Sequence, residues 1–286
     1  MPEIKKLVVL DKNEFNEQQK QELKGLAQEV LIFEDLPKDE AEAMKRIGNA
    51  DALLVCWHSL SEKAIDALPS LKYLGVVATG FEWLAASYAS KKGIAVTNVQ
   101  NYSTNSVAGF ILKQLEKLNF NGKVLGIIGL GHIGSKVAEL ASKKGLKVIY
   151  WNRTPKKSSF EPVAFDEVFK KADAIVLQAS CNAGTVGIVK NKNLNSLKEG
   201  AVIADVVSPK LFESEDYLAK LVAKKKLRLV LDFEEKGILA RLADSNKNVL
   251  FTENIAWKSP ESIFNLHQIA VENLKAFIAG KLQNRI

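Results

Sequence analysis

At 286 residues, with 47% hydrophobic and 26% charged content, the chain is ordinary globular material, long enough for two domains with real cores and too apolar to be disordered. Its 40 basic and 33 acidic residues are dispersed, so the formal charge of +7 reads as a solvated surface rather than a nucleic-acid footprint. Two cysteines exclude a disulfide framework and fit a reducing cytoplasm, and no apolar run reaches the roughly 18 residues of a membrane span or the pattern of a signal peptide, so neither membrane nor export is expected.

In chain order, Leu7 to Leu10 reads as a short buried strand ending at Asp11. Asn13 can cap a long helix carrying Phe15, Leu23, Leu26 and Val30. Strands are expected at Val30–Phe33, Ala52–Cys56, Tyr73–Val77 and Ile94–Val96, with helices between them at Asp39–Ile47, from Ser61 to before Pro69, and at Trp83–Lys91. That strict alternation with short connections is the signature of a doubly wound parallel sheet. Ser103 to Leu118 opens with cap-competent hydroxyls and places Val107, Ile111, Leu115 and Leu118 at helical spacing, as a rod into a second domain.

The most informative stretch is Lys123 to Thr154, which holds one complete βαβ unit. Val124 to Ile128 is an unbroken apolar run, as a strand covered on both faces requires. Gly129, Gly131 and Gly134 then satisfy G-x-G-x-x-G: the first permits a tight turn, the second lets a pyrophosphate approach the backbone, and the third packs helix on strand. His132 and Ile133 begin the helix whose free N–H groups would receive the phosphates. A tight turn with no ligand is the bland alternative.

The end of the next strand, Lys147–Trp151, speaks about which dinucleotide binds. An NAD site normally offers Asp or Glu there for the ribose 2′-OH. Here stand Asn152, Arg153 and Thr154, with Lys156 and Lys157 following. A guanidinium and two ammonium groups favour a 2′-phosphate, so NADP is the expected cofactor, with NAD possible. The alternative leaves Arg153 stacked on adenine and the lysines solvated.

Further strands are expected at Ala174–Ala179, Ala201–Val206, Arg228–Leu231 and Asn248–Phe251, with helices at Glu213–Ala223 and Pro260–Ala279. Two α/β lobes follow, a flavodoxin-like substrate domain (1–100 plus 259–286) and a Rossmann dinucleotide-binding domain (101–258), both doubly wound parallel sheets, with the cleft as the default site. No metal site is expected.

Several ordered blocks resemble the D-isomer-specific 2-hydroxyacid dehydrogenases. LPSLKYLGVVATGFEWL is similar to that family's substrate-carboxylate loop, GIAVTNVQNYSTNSVAG to its domain-crossing segment and KVLGIIGLGHIG to its cofactor turn. LKEGAVIADVV and VLFTENIA are similar to the strands that lead to its catalytic arginine and histidine. The resemblance implies hydride transfer between a nicotinamide and the 2-carbon of a small hydroxy or keto acid. It implies backbone contacts to substrate at Ala78, Thr79 and Gly80, a cofactor contact at Thr104 and a carboxamide contact at Asp232; Tyr102, at the crossing segment, is a further substrate-site candidate by position.

The chain departs from that pattern where the chemistry sits. The arginine position falls on Ser208 and the histidine position on Asn254, while the glutamate position falls on Gly237 counted forward from Asp232 and on Glu235 counted back from Asn254, so Glu235 is the candidate and an exposed loop carboxylate the alternative. Serine offers no charge in place of a fork worth about 1.5–3 kcal/mol per bond, and asparagine has no proton to deliver near neutral pH. Of the histidines, His58 follows a strand whose C-terminal end faces the cleft, whereas His267 reads as packed; Lys210 and Lys258 follow the two vacated positions, and Trp57, Trp83 and Trp257 suggest aromatic walls. Only five residues separate Leu118 from Val124, where the family inserts a dimerisation arm, so the oligomeric state is open. Two readings stand: an NADP-preferring oxidoreductase with a remodelled site and an unidentified small-molecule substrate, or a catalytically inactive nucleotide-binding relative acting as sensor or partner-binding protein.

Overall fold

The computed structural model describes residues 3–234 and 237–286. It divides into two compact units, one formed by the chain up to Ser103 together with Pro260–Ile286, the other by Thr104–Ser259.

In the first unit β1 (Lys6–Val9), α1 (Glu17–Lys24), β2 (Glu29–Ile32), α2 (Glu40–Ile47), β3 (Ala52–Val55), α3 (Glu62–Asp66), β4 (Tyr73–Val76), α4 (Ala86–Lys91) and β5 (Ala95–Thr97) alternate strand and helix. The five strands make one sheet in the order β2-β1-β3-β4-β5, with every pairing parallel. That is the flavodoxin-like order. β3 and β4 are buried along their whole length, which is why both read as unbroken apolar runs.

Helix starts follow side-chain chemistry. Asp39 and Ser61 accept the N–H groups of Glu42 and Ala64 and so cap α2 and α3. The cap of α1 is Asn16, not Asn13: Asn16 and Gln19 form a reciprocal capping box. Asn13 is spent elsewhere, its amide donating to the carbonyls of Asp11 and Phe33. The helix is therefore shorter than its apolar spacing suggests, and Val30 belongs to β2.

The second unit runs α5 (Thr104–Lys117), β6 (Val124–Ile128), α6 (His132–Lys143), β7 (Lys147–Trp151), β8 (Glu161–Pro162), α7 (Phe165–Lys171) and β9 (Ala174–Leu177). It continues with α8 (Asn191–Asn195), β10 (Val202–Asp205), a 3₁₀ turn (Pro209–Leu211), α9 (Glu215–Lys224), β11 (Arg228–Asp232), α10 (Ile238–Ala243) and β12 (Val249–Thr252). Its seven parallel strands lie in the order β12-β11-β10-β9-β6-β7-β8. The order reverses between β9 and β6, the switch point beyond whose strand ends ligands bind in such sheets. One side of the sheet packs on Phe169, Leu194, Leu218 and Leu239, the other on Ile111, Leu115, Val137 and Ala141 of α5 and α6.

The link from α5 to β6 is tied down rather than extended into an arm. Arg228 donates to the carbonyls of Leu118 (2.7 Å) and Asn119 (3.3 Å), and Phe120 packs against the α5–α6 core. The last helix, α11 (Pro260–Ile278), belongs to the first unit, where Leu266, Ala270, Val271 and Leu274 join the core of Leu7, Val9 and Leu54. Cys56 is buried just after β3, and Cys181 is half-buried in the loop after β9. Among the described residues no helix is long and apolar enough to cross a membrane.

Candidate functional site

The glycine turn is built as its sequence requires. Gly129 has φ +100°, and a Cβ there would lie 2.6 Å from the backbone of Gln178 and Ala179. A Cβ on Gly134 would lie 2.1 Å from the Gly129 carbonyl, so only glycine allows α6 to start this close to β6. Gly131 differs: it is the N-cap of α6, makes no side-chain cap, and a Cβ there would meet open space. The first turn of α6, opened by exposed His132 and half-buried Ile133, carries no acidic residue, and its positive end is left for an anion.

Gly129 and Gly131 line a depression with Trp151, Asn152, Arg153 and Thr154 from the end of β7 and residues 178–185 beyond β9. Asn152 stands where a carboxylate would receive a ribose 2′-OH. Its carbonyl oxygen instead accepts the Leu130 N–H (3.0 Å) and its amide donates to Thr154 (2.8 Å), so it ties the turn to the strand. Arg153 is exposed and makes no hydrogen bond or ion pair among the described residues. Its Nη1 lies 3.5 Å from where a Cβ on Gly184 would be, which puts the guanidinium beside the 180–185 loop. Thr185 holds that loop by donating to the Ser180 carbonyl and accepting the Asn182 N–H.

Lys156 is not beside Arg153. Its ammonium donates to the Leu130 carbonyl (2.7 Å) and the Ser135 hydroxyl (3.2 Å), bracing the glycine turn from outside. Lys157 is exposed.

The depression fits a dinucleotide on three grounds: the open space at Gly131, the uncapped helix start, and the buried Gln178 Nε2, a donor with no partner among the described residues. Such a cofactor would rest its diphosphate on the Gly129–Ile133 backbone and its ribose near Asn152 and Arg153.

A second depression of the same unit is lined by Val206, Val207, Asp232, Phe233, Glu234 and Asn254. Asp232 is 2% exposed and heavily engaged: Oδ1 accepts from the Thr252 hydroxyl (2.5 Å) and the Ile255 N–H (2.9 Å), and Oδ2 accepts from the Ala256 N–H (2.7 Å). It clasps the loop that leaves β12. Ser208 is buried; its hydroxyl accepts the Lys210 N–H and caps the 3₁₀ turn, while Asp205 accepts the N–H groups of Val207 and Ser208. The position at which the resemblance implies an arginine is a cap of the 3₁₀ turn.

Asn254 adopts φ 51°, a conformation asparagine tolerates, and its amide donates to Glu234 Oε1 at 3.1 Å. Glu235 lies outside the described residues. Asp232 pairs with Thr252, and Glu234 and Asn254 each stand two residues beyond that pair.

Lys210 and Lys258 are exposed, line neither depression, and Lys258 lies over the Trp257 ring at 5.5 Å. Thr104 is the half-buried first residue of α5.

In the first unit, the loop after β4 has its carbonyls consumed. Val99 N–H, Asn98 amide and Trp83 indole donate to Ala78, Thr79 and Gly80 respectively, and the Thr79 hydroxyl donates to Val99. Tyr102 packs half-buried against the core that includes Val99, and burial raises its phenol above the usual range. Trp57 is 60% exposed just after β3. Asp11 accepts the N–H groups of Cys56, Trp57 and His58, and His58 Nε2 is buried with no partner among the described residues. His267 is structural: Nδ1 meets the Ile263 carbonyl, Nε2 accepts the Glu14 N–H (3.1 Å), and burial lowers its pKa.

Residues 94–256 match the family described as "D-isomer specific 2-hydroxyacid dehydrogenase, NAD binding domain". A hydroxypyruvate reductase of Blautia hydrogenotrophica is 28% identical over 300 residues, covering 92% of each chain. Among solved structures, an acyclic imino acid reductase in complex with NADPH and D-Arg is 25% identical, with TM-score 0.79 over 98% of this chain and 99% of that one. A D-2-hydroxyisocaproate dehydrogenase superposes with TM-score 0.84 over 98% and 99% at 20% identity, a likeness of fold.

Proposed function

Because the chain belongs to the D-isomer-specific 2-hydroxyacid dehydrogenase family, we propose that it is a reductase that prefers NADPH and acts on a small molecule other than a simple 2-keto acid. The observation that carries the cofactor preference is Arg153, exposed and unpaired among the described residues at the rim of the dinucleotide depression, next to Asn152 instead of a carboxylate. The imino acid reductase similar to this chain is described with NADPH, which supports the same preference and widens the substrates worth testing from C=O to C=N.

The chain's own residues have defined tasks. The Gly129–Ile133 backbone holds the diphosphate, Asn152 and Lys156 keep the turn rigid from two sides, and Arg153 faces the 2′-phosphate. The bound dinucleotide supplies a hydride. Val206, Val207 and Phe233 give the second depression an apolar wall, and the Asn254–Glu234 pair gives it a polar one. Among the described residues neither a guanidinium clamp for a keto acid nor an imidazole acid lines it, which is the basis for moving the substrate away from 2-keto acids. The sensor reading has no observation of its own in its favour.

Fluorescence titration with NADPH and NADH tests the cofactor. NADPH is expected to bind at least about tenfold tighter, as one charge-assisted contact predicts. Equal affinities contradict the preference.

A further inference from the structure

Gln178 is the first residue beyond β9, and its N–H still donates to the Ile128 carbonyl (2.8 Å), so the chain keeps ladder geometry through this position. Ile175 and Leu177 join the core on one face of the sheet, and Val176 joins the α5–α6 core on the other. Alternation therefore sends the Gln178 side chain to the face that α6 covers. Its backbone lies against the glycine turn, for a Cβ on Gly129 would lie 2.6 Å from the Gln178 carbonyl. The residue lines the dinucleotide depression, yet its Nε2 is buried and meets no acceptor among the described residues. A buried amide donor costs free energy until something accepts from it, and one in the wall of a ligand site can find its acceptor on the ligand.

Position says which part of the ligand that is. Ile128 pairs with Leu177 on one side and Trp151 on the other, so one residue further along the three strands Gly129 is flanked by Gln178 and Asn152. Arg153 follows on the β7 side, the side assigned to the 2′-phosphate of the adenosine. A dinucleotide with its diphosphate on the turn and its adenosine toward β7 has its nicotinamide nucleotide on the β9 side. The acceptors it brings there are ribose hydroxyls and phosphate oxygens.

We propose that Gln178 is a cofactor-binding residue whose side-chain amide donates to an oxygen of the nicotinamide nucleotide, in NADPH and NADH alike. This deepens the dinucleotide reading and rests on it. Rotation about its own side-chain bonds turns the amide from its buried position to the depression that the residue already lines. The contact is blind to the 2′-phosphate, so it adds affinity where Arg153 adds preference.

The test titrates the full chain, Gln178→Met and Gln178→Glu with NADPH, NADH and adenosine 2′,5′-bisphosphate, which lacks the nicotinamide nucleotide, and follows binding by calorimetry. Gln178→Met keeps the length of the side chain and removes the donor. It should weaken NADPH and NADH by the same factor, about tenfold, and leave the bisphosphate within about twofold of the parent. Gln178→Glu, isosteric but anionic, should weaken both dinucleotides further. Without cofactor the urea midpoint of Gln178→Met should be no lower than that of the parent, because the unpartnered donor is gone. An amide that served only packing would leave all three affinities at the parent values, and that result overturns the assignment. A loss shared by the bisphosphate, or one confined to NADPH, overturns it too. If Gln178→Met does not fold, Gln178→Glu decides by the same ratios. Parent binding with unchanged variants leaves the dinucleotide reading standing, whereas failure of the parent to bind either dinucleotide overturns both.

Discussion

The two depressions of the second unit sit on the same sheet and are built in opposite ways. At the first, the requirements are written in backbone: Gly129 and Gly134 leave no room for a side chain, and the helix start is open. At the second, the lining is written in side chains carried at the ends of the strands. Ser208 caps a 3₁₀ turn and Asn254 fits a left-handed position, so each has a structural use of its own. Binding that depends on chain path is hard to lose piecemeal, whereas reactivity that depends on a few side chains can be replaced residue by residue.

The sharpest way to break this contrast is to fill the turn. Gly134→Val places atoms onto the Gly129 carbonyl and should lower stability by about 3 kcal/mol or more and reduce NADPH affinity beyond measurement. Thermal unfolding together with NADPH fluorescence checks both, and a variant that binds normally would show that the turn is not the dinucleotide site.

Asp232→Ala removes three hydrogen bonds at the loop after β12 and should cost about 2–4 kcal/mol in urea unfolding. A neutral result would leave that carboxylate free of the clasping role. Arg153→Ala should weaken NADPH by about 10- to 100-fold and NADH by less than about twofold, which separates a phosphate contact from adenine stacking.

The smallest effect belongs to the first unit, away from either depression. His267 is neutral in the fold because burial lowers its pKa, and Nε2 accepts the Glu14 N–H. Below the ordinary histidine pKa of about 6.5 the unfolded chain takes up the proton first, so stability is full above that value and falls as pH drops through it. The urea midpoint of the parent should therefore fall further between pH 7 and pH 5 than that of His267→Gln.

Much of the fold was legible in the chain. The βαβ unit appears with both strands at the expected residues, because buried parallel strands and a glycine turn leave few alternatives. The short elements β8, α7, α8 and α10 were not, since two to seven residues carry too little periodicity to register. At the site, Arg153 and Asn152 were legible by position, but the use of Lys156 was not. Its long side chain bends back to Leu130, a choice made by tertiary geometry. The contact of Glu234 with Asn254 was not legible, because both residues lie in loops beyond the last β11–β12 pair and Asn254 turns into a left-handed conformation.

The most direct measurement loads the protein with NADPH and then adds a 2-keto acid, following the nicotinamide absorbance. The account predicts a stable complex whose absorbance hardly changes. Rapid oxidation of the bound NADPH by the keto acid alone would contradict it.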